Sequence, residues 1–277
     1  MQDLKPSITY AFLIIVSTLL LSPKLAASSS DNFNFGDEVF IQCGTTEYPD
    51  LGSTKIARIF MGLMDMISME IKKQGWSTES LINPLTQIFA LGECRSDLNS
   101  SICLKCFHHA REHLSQCLPK VAGRVFMDGC FLRYDNYSFF NEAIDKKYDQ
   151  SVCIKSPLKE NMESDSNATV LYGFQERAGR AVTNVTETAP GAVQKFAVNG
   201  DNKDVFAVAQ CWHTLDREGC ERCLRRAGRK LNDCIVVNDE GKSMLAGCFL
   251  KYSTRKFYAE EFNENAVKES NGQLIKN

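Results

Sequence analysis

The chain has 277 residues and a formal net charge of −2 at pH 7, from 32 Lys and Arg against 34 Asp and Glu. An apolar fraction of 44% is that of a globular protein with real cores, and the length suffices for two domains. So even a charge balance carries no bulk signal for nucleic acid or an acidic membrane.

Taken in chain order, Lys5 precedes an apolar run over residues 8–21, and Ala26, Ala27 and Ser28 follow. A basic start, a short apolar segment and a small-residue exit predict a secretory signal peptide over 1–28. The run is shorter than the ~20 residues of a membrane span, although an uncleaved signal anchor is the alternative. No second span follows, so the mature chain is expected to be secreted and extracellular, with a polar tail over 263–277. Sequons at Asn99, Asn136, Asn167 and Asn184 fit that route.

The cysteines reveal a duplication. Cys43, Cys94, Cys103, Cys106, Cys117 and Cys130 form one set; Cys153, Cys211, Cys220, Cys223, Cys234 and Cys248 form the other. Both sets contain C-x8-C-x2-C, and DGCFLRY in the first copy answers AGCFLKY in the second. Phe139-Phe140 and Phe257-Tyr258 also fall at one offset past the last cysteine. The modules are placed at 35–145 and 150–262, with the boundary just before Cys153.

In the first module a strand is predicted over 38–43. Ile56, Ile59, Phe60, Leu63, Met64, Ile67 and Ile71 then return at helical spacing. A second helix is predicted from Cys103 to Leu114, and short apolar segments around Cys130 read as strands. The second module repeats this, with Phe174, Ala178, Ala181, Val182 and Val185 on its first helix and a polar surface loop over 155–167. Helices and strands that do not strictly alternate predict an α+β fold with a mostly antiparallel sheet.

On a secretory route, twelve cysteines read as disulfides before metal ligands. His108, His109 and His113 follow Cys106 and raise a zinc alternative, but the second copy has no histidine after Cys223. These histidines are expected on a solvated helix face, and Trp76 and Trp212 in a core or rim rather than on a sugar. Six cysteines allow 15 pairings, so spacing alone assigns none. No catalytic triad, Walker, Rossmann or kinase motif occurs, and no enzyme activity, cofactor or metal is expected.

The doubled C-x8-C-x2-C pattern with its GCFLRY-like segments resembles the plant ginkbilobin-homologous domain, also called the salt-stress-response/antifungal domain. That domain occurs doubled in ectodomains of cysteine-rich receptor-like kinases, in plasmodesmata-located proteins and in secreted cysteine-rich repeat proteins. The resemblance implies a five-stranded antiparallel sheet with two helices and three disulfides per module. It implies bridges Cys43–Cys117, Cys94–Cys103 and Cys106–Cys130, then Cys153–Cys234, Cys211–Cys220 and Cys223–Cys248. It also implies a mannose site of Asn, Arg and Glu, at whose positions the first module has Gly44, Arg124 and Asp135. The second module has Ile154, Lys242 and Ser253 there. Only the Arg matches and the acid is shortened, so sugar binding is expected in the first module if anywhere. Arg124 is alternatively a surface or strand-edge residue. The expected function is extracellular binding or signalling in defence or stress, with cell-wall or fungal glycans as candidate ligands. Alternatives are association with receptor-like kinase ectodomains, as a partner or a truncated ectodomain, and direct antifungal action.

Overall fold

The protein is described by a computed structural model over residues 39–48, 52–84, 86–154, 165–199, 204–236 and 238–259. The expected signal peptide and polar tail lie outside the described residues. So does most of the polar stretch over 155–167; its last three residues open a helix, a correction to its reading as loop throughout.

Each module begins with a short strand, β1 (Phe40–Cys43) or β6 (Gln150–Ile154), followed by a long helix, α1 (Ser53–Gln74) or α3 (Asp165–Thr188). α1 forms on its apolar stripe: Ile56, Phe60, Leu63, Met64, Ile67 and Ile71 are all buried, while Arg58, Asp65 and Lys72 face out. It stops at Gly75, whose φ of 83° lies in the left-handed region that glycine enters without steric cost. The carbonyl of Gly75 then accepts from Cys94 N at 2.8 Å. In the second module the same role falls to Lys195, at φ 49°, whose carbonyl accepts from Cys211 N. Its Nζ donates to the carbonyls of His213 and Leu215, holding a backbone conformation that β-carbon sterics disfavour.

The first module continues through β2 (Trp76–Asn83), β3 (Thr86–Cys94), α2 (Ser100–Ser115), β4 (Gly123–Met127) and β5 (Cys130–Asp135). The second runs through β7 (Phe196–Asn199), β8 (Phe206–Cys211), α4 (Arg217–Ile235), β9 (Glu240–Leu245) and β10 (Cys248–Ser253). Side-chain caps start the second helix of each: Asn99 Oδ1 accepts from Ile102 N, and Asp216 Oδ1 from Gly219 N. Both sheets are antiparallel and share one strand order, β1-β4-β5-β3-β2 and β6-β9-β10-β8-β7.

Three bridges staple each module. Cys43–Cys117, Cys94–Cys103 and Cys106–Cys130 lie in the first; Cys153–Cys234, Cys211–Cys220 and Cys223–Cys248 in the second. No described cysteine is free.

Helices cover one face of each sheet. The other faces meet across a third core, in which Leu91, Phe126 and Phe131 pack with Trp212, Met244 and Phe249. Trp212 lies flat on Phe131, with ring centroids 4.6 Å apart. β4, β5, β9 and β10 are consequently buried on both faces, which places the polar side chains of those strands under cover as well.

Candidate functional site

The sequence-derived sugar position lies at the end of the first sheet. Gly44 follows β1, and its N–H donates to Ala122 O at 2.8 Å. A β-carbon there would come within 3.2 Å of Ala122, so this position offers backbone and little room for a side chain. Arg124 is on β4, between β1 and β5, and is only 4% exposed. This corrects its reading as a surface or strand-edge residue. Asp135, at the end of β5, is 5% exposed.

Arg124 pairs in register with Arg133 of β5. Two guanidinium groups side by side under cover require anions, and the chain supplies them from residues 135–148. Arg124 Nη2 donates to Asp145 Oδ2 at 2.7 Å and its guanidinium lies over the Tyr148 ring. Arg133 Nη2 donates to Asp135, Glu142 and the Tyr137 hydroxyl oxygen, at 2.9–3.0 Å, and its guanidinium sits 4.0 Å above the Phe139 ring. Arg124 Nη1 and Arg133 Nε and Nη1 have no hydrogen-bond partner, so their remaining stabilisation comes from the rings. Burial raises the Asp135 pKa despite Arg133, whereas for Asp145 burial is opposed by the Arg124 charge and by hydrogen bonds from Lys147 N and Arg124, which together hold the carboxyl low.

The second module repeats the cation pair with lysines. Lys242 of β9 is in register with Lys251 of β10. Their shared anion comes from the other module, where Asp128 accepts from Lys251 at 2.7 Å and Lys242 at 3.3 Å, while Glu240 of their own sheet also pairs with Lys251 at 3.0 Å. Lys242 Nζ also lies 4.7 Å from the Phe40 ring centre. Sequence reading singled out Arg124 and Lys242 but missed Arg133 and Lys251. The signal was present, because each lies three residues past the last cysteine of its copy and both are cations.

A second polar cluster joins the modules. Glu93, whose side chain is fully buried, accepts from Gln210 Nε2 at 2.9 Å and His213 N at 2.9 Å, and its Oε1 lies 2.8 Å from His213 Nδ1. Ser96 N in turn donates to Gln210 Oε1 at 2.9 Å. Trp76 stacks on His213 with ring centroids 5.0 Å apart. The small cleft lined by Glu93, Asp128, Gln210 and Trp212 has a cavity volume of about 10 Å³, roughly the room of a single water molecule and far short of a small-molecule pocket.

His108 and His109 are exposed on α2, as expected for a solvated face. Among the described residues no group of three or more His, Cys, Asp or Glu converges as for a metal, and no helix is long and apolar enough to cross a membrane. Asn99, Asn136 and Asn184 are exposed; Asn167 lies within α3.

Two antiparallel five-stranded sheets, four described helices and six bridges define a tandem cysteine-rich fold of ectodomain type. The chain belongs to the salt stress response/antifungal family, whose model matches residues 43–137 and 156–255. It is 36% identical over 93% of its length to the cysteine-rich receptor-like protein kinase 42 of Arabidopsis thaliana, and spans 36% of that protein. It is 26% identical to an antimicrobial ginkbilobin-2-like protein of Castanea crenata, over 88% of this chain and 96% of that one. The crystal structure of the tandem DUF26 ectodomain of the Arabidopsis receptor-like protein PDLP5 superposes with a TM-score of 0.61 at 18% identity, covering 78% of this chain and 98% of that one.

Proposed function

We propose that this chain is a non-catalytic extracellular binding protein that meets its partners over its outer surface rather than through the mannose position. One observation carries this reading. Arg124 and Asp135, the polar groups left at that position, are buried and neutralised by Asp145 and Arg133. A sugar hydroxyl brings about 1 kcal/mol net per hydrogen bond, whereas displacing a carboxylate from a buried guanidinium costs several. The receptor-like relatives support ectodomains of that class as partners, and the doubled module supplies a broad outer surface for them.

The test is binding of the purified protein to immobilised mannan and to a panel of cysteine-rich receptor-like ectodomains. Expected are no retention on mannan and saturable binding to at least one ectodomain. Retention on mannan that disappears in Arg124→Ala would overturn the reading. Direct antifungal action is the second reading, supported by the family description and the antimicrobial relative; unchanged hyphal growth in the presence of the protein would dismiss it.

A further inference from the structure

α4 buries Cys220, Cys223, Leu224, Ala227 and Leu231 and turns its opposite side to solvent. That side is strongly cationic although the chain as a whole carries −2. Along its N-terminal half the charges are balanced, with Arg217 on Glu221 at 3.1 Å and Arg222 on Glu218 at 2.9 Å. Arg226 lies 3.6 Å from Asp149. Further along, Arg225, Arg229 and Lys230 are exposed and have no ion-pair partner among the described residues. Helix-dipole stabilisation does not account for them, because that effect is confined to the last turn and the last turn of α4 holds no basic residue. Nor is the cluster a property of the fold. The same positions of α2 in the first module carry His108, Glu112 and His113.

We infer that this face docks an acidic polysaccharide, a polyuronate chain with one carboxylate per sugar. The inference rests on the reading of the chain as an extracellular binding protein and names a ligand class for it. Arg225 and Arg229 lie one turn apart on one line along the helix, about 6 Å at ~1.5 Å per residue, with Lys230 beside them, which suits an extended ligand with repeated charges. Arginine presents a planar fork that grips a carboxylate with two hydrogen bonds, and arginine predominates here over lysine. Outside the cell, the anionic leaflet of the membrane is on the far side of the bilayer, and forks one turn apart along one helix line match a repeating carboxylate chain better than the scattered carboxylates of a protein surface.

The experiment measures retention of the purified full chain on immobilised polygalacturonate at about 50 mM and about 500 mM salt, which spans the range where surface charges become screened. Three further arms use neutral dextran, phosphatidylserine vesicles and two charge-reversal variants. R225E/R229E alters the face; K55E/K105E makes the same total charge change at exposed lysines elsewhere. Expected are retention on polygalacturonate at low salt, its loss at high salt, and weakening of about tenfold or more in R225E/R229E, with K55E/K105E within about twofold of wild type. R225Q/R229Q should fall between, and near-ultraviolet circular dichroism should show all variants folded. Three results would overturn the inference: no retention at low salt, equal loss in both charge-reversal variants, or stronger retention on the vesicles. A chain that still binds a receptor-like ectodomain but ignores polygalacturonate defeats this inference alone; one that binds neither defeats the functional reading too.

Discussion

Asp128 holds two lysines of the other module, Lys242 and Lys251, and its pKa shows what they do. Burial by itself would raise it, but the Lys251 and Lys242 charges outweigh burial and hold the carboxyl below the ordinary range. A folded-state pKa below the unfolded one stabilises the fold above the unfolded value of ~3.9, and that contribution disappears as pH falls through the folded value. Asp128→Asn should therefore cost about 1–3 kcal/mol at pH 7, because two buried ammonium groups lose their shared anion. Urea denaturation at pH 7 and near pH 3 checks this: the gap between variant and wild type should narrow in acid. A gap that holds or widens would show that Asp128 acts through shape and not charge. Trp212 is a residue whose surroundings were out of reach of the sequence. Core or rim was the expectation; the ring is buried on Phe131, a contact between residues 81 positions apart that no local periodicity encodes.

Among the elements, the bridges differ in what they restrain. Cys43–Cys117 ties β1 to the end of α2 across 74 residues, whereas Cys94–Cys103 closes only 9 between β3 and α2. Restricting the unfolded chain is worth about 4.5 kcal/mol for the longer loop and about 2.7 for the shorter. Replacing both cysteines by alanine should thus lower stability by roughly 2 kcal/mol more at Cys43/Cys117 than at Cys94/Cys103. Thermal unfolding of the two double variants tests the order, and a reversed order would show that local packing dominates. α1 was legible because its apolar stripe is long and regular. β2 was not: WSTESLIN is an edge strand, mostly half-covered, and gives neither clean alternation nor an apolar run. By contrast, β4 and β5 announce cover on both faces, since GRVFM and CFLRYD do not alternate and every residue in them is buried. The same double cover hid the fate of Arg124, whose anions come from a segment with no pattern of its own.

At the scale of the molecule, the modules meet as two copies of one unit would. The residue before the second cysteine of each, Glu93 or Gln210, reaches its counterpart across the join. The amide two residues past that cysteine, Ser96 or His213, donates to the opposite side chain. This reciprocal pattern is that of a two-fold interface, and one substitution makes it workable: a carboxylate on one side faces an amide donor on the other. Restoring symmetry the wrong way should break it. Gln210→Glu sets two buried carboxylates against each other and should cost about 3 kcal/mol or more at pH 7. Glu93→Gln keeps one acceptor oxygen, for Gln210 Nε2 or for His213 N but not both, and adds no buried charge, so it should cost less than Gln210→Glu. The facing carboxylates of Gln210→Glu raise the pKa of the pair, so the loss should shrink as pH falls and one of them takes a proton. Scanning calorimetry gives the readout at whole-molecule scale. The wild type, with a continuous core under Trp212, should unfold in one transition, and Gln210→Glu at pH 7 should resolve into two as the modules uncouple. A single transition in that variant, shifted no further than in Glu93→Gln, would mean that the aromatic core alone binds the modules and that the polar join is incidental.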